Sequence, residues 1–313
     1  MTTMRTLVPH GVKVAFYDGT AIARWATRHP GVTLWLRQQL GRGLNGWEPY
    51  GNWSAPGEPD GEPYIVDEKA LRVSLGSGPR REAVPVPVGI SRMRERLSQP
   101  GGIVRLVGLS GTGKTRLAQA LFDDRIGDGP LPKVEALYTD MARGPQPAPQ
   151  EVIAQLGSQQ RSAVLVIDNC LAATHRILAD EVRRRHGRLR LLTIEYDVGE
   201  DEPEGTEIIR LDVASDRVIA SLLERRAPQI GTVDRATIVR LSGGNARVAL
   251  ALARTTETGG SLAHLTDRQV FERLFWQGQT QDRDLQRAAQ VCSLVYSFDG
   301  ETRDGSEAEL PIL

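Results

Sequence analysis

Gly108-Leu109-Ser110-Gly111-Thr112-Gly113-Lys114-Thr115 fits the spacing G-x-x-x-x-G-K-[ST] at every fixed position. The run entering it, IVRLVGL at 103–109, is as apolar as a buried strand. The run leaving it, TRLAQALFDD at 115–124, repeats its apolar residues at helical spacing. Strand, glycine loop and helix in that order make a cradle for phosphate. Glycines let successive backbone N–H groups turn inward, and the helix N-terminus adds its positive dipole end. In such a cradle Gly108, Leu109, Ser110, Gly111, Thr112 and Gly113 wrap the phosphates. Lys114 meets the β- and γ-phosphate oxygens, and the Thr115 hydroxyl coordinates Mg2+.

Working outward, VLVIDNC at 164–170 places Asp168 at the C-terminal end of an apolar strand, where ligands bind in open α/β sheets. A carboxylate there can hold Mg2+ as the second acidic element of a phosphate-loop site, and it can equally cap the next helix. Lys114 and Asp168 are the candidate catalytic residues, and Thr115 and Asp168 the candidate metal ligands. Further strands are read at KVEALYTD (133–140), RLLTIEYD (190–197) and EIIRLDV (207–213), with helices between them. Alternation of this kind predicts a parallel sheet covered on both faces. A full strand and helix lie between the loop and Asp168, which matches sheets with an inserted strand. After Asp216 only helical periodicity remains, in DRVIASLLERR, TVDRATIVRLSG, NARVALALART, VFERLFW and DLQRAAQVCSLVYS.

With those motifs in place, residues 88–256 resemble the STAND class of signalling NTPases, related to AAA+ proteins and closest in style to the bacterial novel-STAND type. The resemblance rests on GLSGTGKT, VLVIDNC, LLTIEYD and LSGGNARVALALA. It implies an α/β P-loop NTPase with an inserted-strand sheet, a helical lid, and ATP with Mg2+ as cofactors. It implies a sensor arginine at Arg247 facing the γ-phosphate, although Arg247 also reads as a simple surface residue, and a polar sensor at Thr193 at the end of the fourth strand. It further implies a slow-hydrolysing nucleotide switch in bacterial defence or signalling, with a homo-oligomer forming on activation. An AAA+-like ATPase that remodels a protein or nucleic-acid partner, and a non-enzymatic adaptor, are the competing readings. The chain departs from the pattern at Asn169, where such enzymes carry a second acid that polarises the attacking water; an amide cannot take that proton. Glu195 could substitute, or could be solvent-facing or salt-bridged. No guanine-reading N-K-x-D follows, so ATP is preferred over GTP.

VKVAFYDGTAIARWATRHPGVTLWL, from residue 12, is similar to the closing strand and helix of restriction-endonuclease-like domains, but residues 1–85 hold no Asp followed by an E-x-K cluster. In it, VKVAFY reads as a strand, Asp18-Gly19 opens a helix, and His29-Pro30 separates that helix from the next. Four of the five tryptophans, Trp25, Trp35, Trp47 and Trp53, fall early and predict a partly exposed aromatic core rather than a ligand cage. The resulting division is an accessory α+β domain at 1–60, a linker at 61–87, the NTPase core at 88–213, a helical lid at 214–300 and a polar tail at 301–313. Both ends read as cut.

Lys plus Arg and Asp plus Glu balance at 39 each, so the chain has no global electrostatic pull on nucleic acid or membrane. The basic run VRRRHGRLR, 182–190, reads as a helix end favoured by the dipole, or as a contact to nucleic acid or phosphate. Cys170 and Cys292 are far apart, which suits a reducing cytoplasm and excludes a disulfide scaffold. His10, His29, His175, His186 and His264 lack ligand spacing and read as surface or cap residues. No run reaches the length needed to cross a bilayer.

Overall fold

The computed structural model describes residues 17–54, 72–76, 81–185, 187–196, 205–262, 266, 269 and 283–292. Along the chain run α1 (Gly19–Ala26), α2 (Pro30–Gln39), β1 (Trp47–Pro49), α3 (Tyr50–Ser54), β2 (Arg72–Leu75), β3 (Glu82–Pro85), α4 (Val86–Ser98), β4 (Ile103–Val107), α5 (Lys114–Ala120), β5 (Ala136–Asp140) and α6 (Pro149–Ser158). There follow β6 (Ala163–Asp168), α7 (Ala172–Arg184), β7 (Leu189–Glu195), β8 (Glu207–Leu211), α8 (Asp216–Arg226), α9 (Thr232–Ser242), α10 (Ala246–Gly259) and α11 (Arg283–Cys292). Two compact units divide the chain, Met1–Leu250 and Ala251–Leu313. The second holds the remainder of α10 together with α11. The expected helix at VFERLFW lies outside the described residues, as do His10, His186 and His264.

The first unit is mixed α/β, built on one eight-stranded sheet in the order β1-β5-β6-β7-β4-β8-β2-β3. Its five middle strands are parallel, each joined to its neighbour by parallel pairing. Strand β7 lies between β4 and β6, so the strand that enters the glycine loop and the strand that ends in Asp168 are not neighbours. β4, β6 and β7 are buried along their whole length, which is why their sequences read as mostly apolar runs rather than as alternation, with Arg105, Arg190, Thr193 and Glu195 as buried polar exceptions. One face packs Val104, Leu106, Val164, Val166 and Ile194 against α4 and α5. The other packs Ile103, Leu165, Ile167 and Leu191 against α6 and α7. No described helix is long and apolar enough to cross a membrane.

Of the antiparallel strands at the two ends of the sheet, β2 falls on the segment around Leu71 to Leu75 that reads as extended, whereas β1 and β3 are additions. GSGPRREAVPVP reads as a loop, yet its Glu82–Pro85 pairs with β2, and β2 pairs with β8, so the expected linker contributes two strands. Proline-rich sequence misleads here because β3 is an edge strand. Among the described strands β3 pairs on one side alone, and an edge position is where a proline is tolerated. At the other edge β1 pairs with β5, and the Trp47 indole N–H donates to the Pro147 carbonyl at 2.8 Å. The early segment thus completes the main sheet. VKVAFY lies outside the described residues apart from Tyr17, which is not in a strand, while α1 starts at Gly19 with Asp18 capping the Ala21 N–H. The tryptophans do not share one core: Trp47 and Trp53 are buried in different clusters, whereas Trp25 and Trp35 are about half exposed.

Arg94, on α4, is buried and donates to the carbonyls of Leu121, Ala120, Asp123 and Asp128. It collars the residues that follow α5 and so fixes the far end of the helix that leaves the glycine loop. Most of the basic run is engaged locally. Arg183 pairs with Asp180, and Arg184 and Arg185 pair with Glu181, while Arg190 is buried against Glu135 and the Ala163 carbonyl.

Candidate nucleotide-binding site

The glycine loop leaves β4 at the C-terminal edge of the parallel strands. Gly108 has φ of +144°, and a Cβ there would stand 2.5 Å from the Leu211 carbonyl oxygen at the end of β8, so only glycine lets the chain pass. Gly111 has φ of +82°, and a Cβ there would meet Asn245 and Arg247. Thr112 closes the turn by donating to the Leu109 carbonyl at 2.9 Å, and Leu109 and Ser110 are exposed at the loop tip. Gly113 precedes the first turn of α5.

The Lys114 ammonium is curled onto the loop, donating to the Gly108 and Leu109 carbonyls at 2.8 Å each. Burial pushes its pKa below the ordinary lysine value. The Asp168 and Glu195 carboxylates oppose that shift, and Arg247 adds to it. Those loop carbonyls hold the ammonium at the mouth of the glycine loop.

Beside it, the Thr115 hydroxyl donates to Asp168 Oδ2 at 2.8 Å. The same oxygen accepts from the Tyr138 hydroxyl at 3.2 Å, and Oδ1 accepts from the Asn169 N–H at 2.9 Å. Burial and the Asp168 charge raise the Tyr138 pKa, which keeps the phenol a donor. Tyr138 is held in turn by Trp53, stacked on it at 4.6 Å between ring centroids. The early tryptophan thereby supports the candidate metal carboxylate, a link that no sequence spacing announces.

The Thr115 hydroxyl and Asp168 carboxylate oxygens stand 2.8 Å apart, joined by that hydrogen bond. Such a hard-oxygen pair suits Mg2+, which keeps several waters and takes phosphate oxygens rather than an all-protein cage. Among the described residues no group of three or more His, Cys, Asp or Glu is placed to bind a metal.

Asn245 and Arg247 meet the loop tip. Asn245 Nδ2 donates to the Ser110 carbonyl at 2.7 Å, while its Oδ1 caps the start of α10 by accepting from the Arg247 and Val248 N–H groups. The Arg247 N–H donates to the Gly111 carbonyl at 3.2 Å, and its guanidinium reaches the Ser110 hydroxyl at 3.3 Å. Arg247 therefore sits at the loop, held partly by an asparagine that sequence reading passed over.

Two expectations shift. Thr193 is not at the end of its strand: β7 runs on to Glu195, and Thr193 turns to the opposite face, 2.8 Å from His175 Nδ1. His175 is accordingly no surface residue. It is fully buried, bonded also to Thr206 Oγ1 at 3.1 Å, and burial lowers its pKa to about 4. Glu195 occupies the strand end, in register with Val107 just before the loop, and is buried rather than solvent-facing. Asn169 has φ of +52° and donates its side-chain amide to Asp140 Oδ1 at 2.7 Å.

No family model matches the chain, and no curated protein matches it. Among solved structures it is similar to the Escherichia coli MS115-1 HORMA:CdnC:Trip13 complex, at 13% identity over 62% of this chain and 83% of that chain, with a TM-score of 0.36. It is similar to Rhizobiales Trip13 at 13% identity, 62% and 91% coverage and a TM-score of 0.35. It is also similar to a signal transduction ATPase with numerous domains (STAND) carrying a tetratricopeptide repeat sensor, from Pyrococcus horikoshii. That likeness has 13% identity, 76% and 38% coverage and a TM-score of 0.37. The similarity of the early segment to a restriction-endonuclease-like domain finds no support in these comparisons. Likenesses this distant assign no role to any residue of the site.

Proposed function

We propose that the chain binds ATP with Mg2+ and acts as a slow-hydrolysing nucleotide switch of the STAND type. The observation that carries this reading is the convergence of Lys114, Thr115 and Asp168 where the glycine loop leaves the sheet. Backbone N–H groups of Gly111 to Lys114 and the Lys114 ammonium take the phosphates, while Thr115 and Asp168 hold the metal that neutralises their charge. Asn245 and Arg247 touch the loop tip and supply the means for helices α8 to α10, acting as a lid, to register the nucleotide. The amide of Asn169 in place of a second acid supports slow turnover over rapid remodelling. Assembly of copies on ATP binding, in the cytoplasm, belongs to the same reading; nucleic acid has no support beyond the locally paired basic run.

Equilibrium dialysis followed by steady-state turnover tests it. The expected result is one ATP held per chain, ATP preferred over GTP, and turnover well below about one per second. Absence of binding overturns the nucleotide reading in favour of an adaptor. Turnover well above that rate overturns the switch in favour of a remodelling ATPase.

A further inference from the structure

Hydrolysis, even slow hydrolysis, needs a group to take the proton of the attacking water, and Asn169 cannot. The neighbouring strand offers one. Asp140 ends β5 directly in register with Asp168 at the end of β6, so the two carboxylates emerge side by side at the same edge of the sheet. The Asp140 side chain is partly open, at 19% exposure. Its Oδ1 is pinned by two donors, the Asn169 amide at 2.7 Å and the Ala142 N–H at 3.0 Å. Among the described residues its Oδ2 meets the Arg143 guanidinium at 4.0 Å, and Arg143 is drawn away by its 2.5 Å pair with Glu48. Asn169, held in a left-handed conformation, thus orients one carboxylate oxygen and leaves the other without a bond from it. Glu195 is placed differently. It is buried beside β4, where its charge acts on Lys114.

We propose that Asp140, oriented by Asn169, is the water-activating acid of this site, supplied by the adjacent strand in place of the residue after Asp168. The proposal rests on the ATP reading above. In the step it serves, the water oxygen bonds to the γ-phosphorus as the bond from that phosphorus to the β–γ bridging oxygen breaks. ADP leaves, and the water proton passes to Asp140 Oδ2 and then to phosphate or solvent. Asn169 is a positioning residue: it acts through Asp140.

The test compares Asp140→Asn, Asp140→Glu, Asn169→Ala and Glu195→Gln in the full chain, measuring ATP affinity, turnover and melting temperature. Asp140→Asn should lower turnover about 100-fold with ATP affinity held within about twofold, since a proton acceptor acts only in the transition state. Asp140→Glu should restore a measurable part of that loss. Asn169→Ala should cost about tenfold in turnover, and it remains informative if an Asp140 variant fails to fold. Turnover unchanged in Asp140→Asn, or lost in Glu195→Gln alone, overturns the role of Asp140 and leaves ATP binding standing. A parent chain that binds ATP but turns over no faster than Asp140→Asn overturns it likewise. A parent chain that binds no ATP overturns the nucleotide reading itself.

Discussion

The two faces of the central sheet each carry a buried polar cluster, and the clusters differ in what they leave open. On the α5 face, Thr115, Tyr138 and Asp168 gather beside a lysine that donates only to carbonyls of its own loop. On the α7 face, Arg105 donates to the Cys170 carbonyl at 3.2 Å, while His175 sits between Thr193 and Thr206. Strand alternation separates them. Arg105 and Thr193 fall between the positions of Leu106 and Ile194, which face α5, and so point to the other side. The first cluster lies at the strand ends and reaches the loop. The second is sealed, and burial raises the Cys170 thiol pKa to about 12 as it lowers that of His175, so neither is charged near neutrality. Polar residues inside a sheet are a site only when they reach its open edge.

If that distinction holds, variants on one face should cost binding and variants on the other should cost stability. The largest effect is expected from Lys114→Ala. It removes the cation that meets the phosphates, and ATP affinity should fall about 1,000-fold, roughly 4 kcal/mol, with little change in melting temperature. Calorimetric titration reads the first quantity and thermal melting the second.

The sealed cluster should show itself through pH. His175 is fully buried and its pKa falls from 6.5 to about 4, through desolvation first and then the nearby Arg105, Arg183 and Arg176. The folded chain therefore refuses a proton that the unfolded chain accepts. This contribution is fully present above about pH 6.5 and is lost as the pH falls toward 4, by up to about 3 kcal/mol. Denaturant unfolding across that window measures it. His175→Phe should flatten this dependence while costing about 2 kcal/mol at neutral pH, because the Thr193 hydroxyl loses its partner. ATP affinity should stay within about twofold of the parent. A loss of ATP binding in His175→Phe without unfolding would break the separation between the faces. The smallest effect is expected from Tyr138→Phe. One of three donors to Asp168 is removed, at about 1 kcal/mol of stability, with a slight weakening of ATP binding in the presence of Mg2+.

What the chain reveals before folding follows the same physics. The middle strands are legible because a strand buried on both faces is mostly apolar, and GLSGTGKT because its glycines and lysine stand at fixed spacing. Edge strand β3 is not legible, since it tolerates the proline that marks loops elsewhere, whereas β2 falls on a stretch that reads as extended. Thr193 lies one full strand period short of Glu195 at the end of β7, and it faces His175 on α7, a contact that no local spacing records. His175 looked like a surface residue because nothing in its helix announces the two threonines, 18 and 31 positions further on, that satisfy its ring. The contacts of Asp168 with Tyr138 and of Asn169 with Asp140 join adjacent strands some 30 positions apart. No local spacing records such a pairing, so the site's supporting residues came from the fold alone.

The most direct test of the open cluster is calorimetric titration of ATP into the parent chain and Asp168→Asn, each with and without Mg2+. The account predicts that Mg2+ strengthens ATP binding to the parent by about tenfold or more, and that Asp168→Asn removes this gain while keeping the metal-free affinity. Equal gains from Mg2+ in both chains would contradict it.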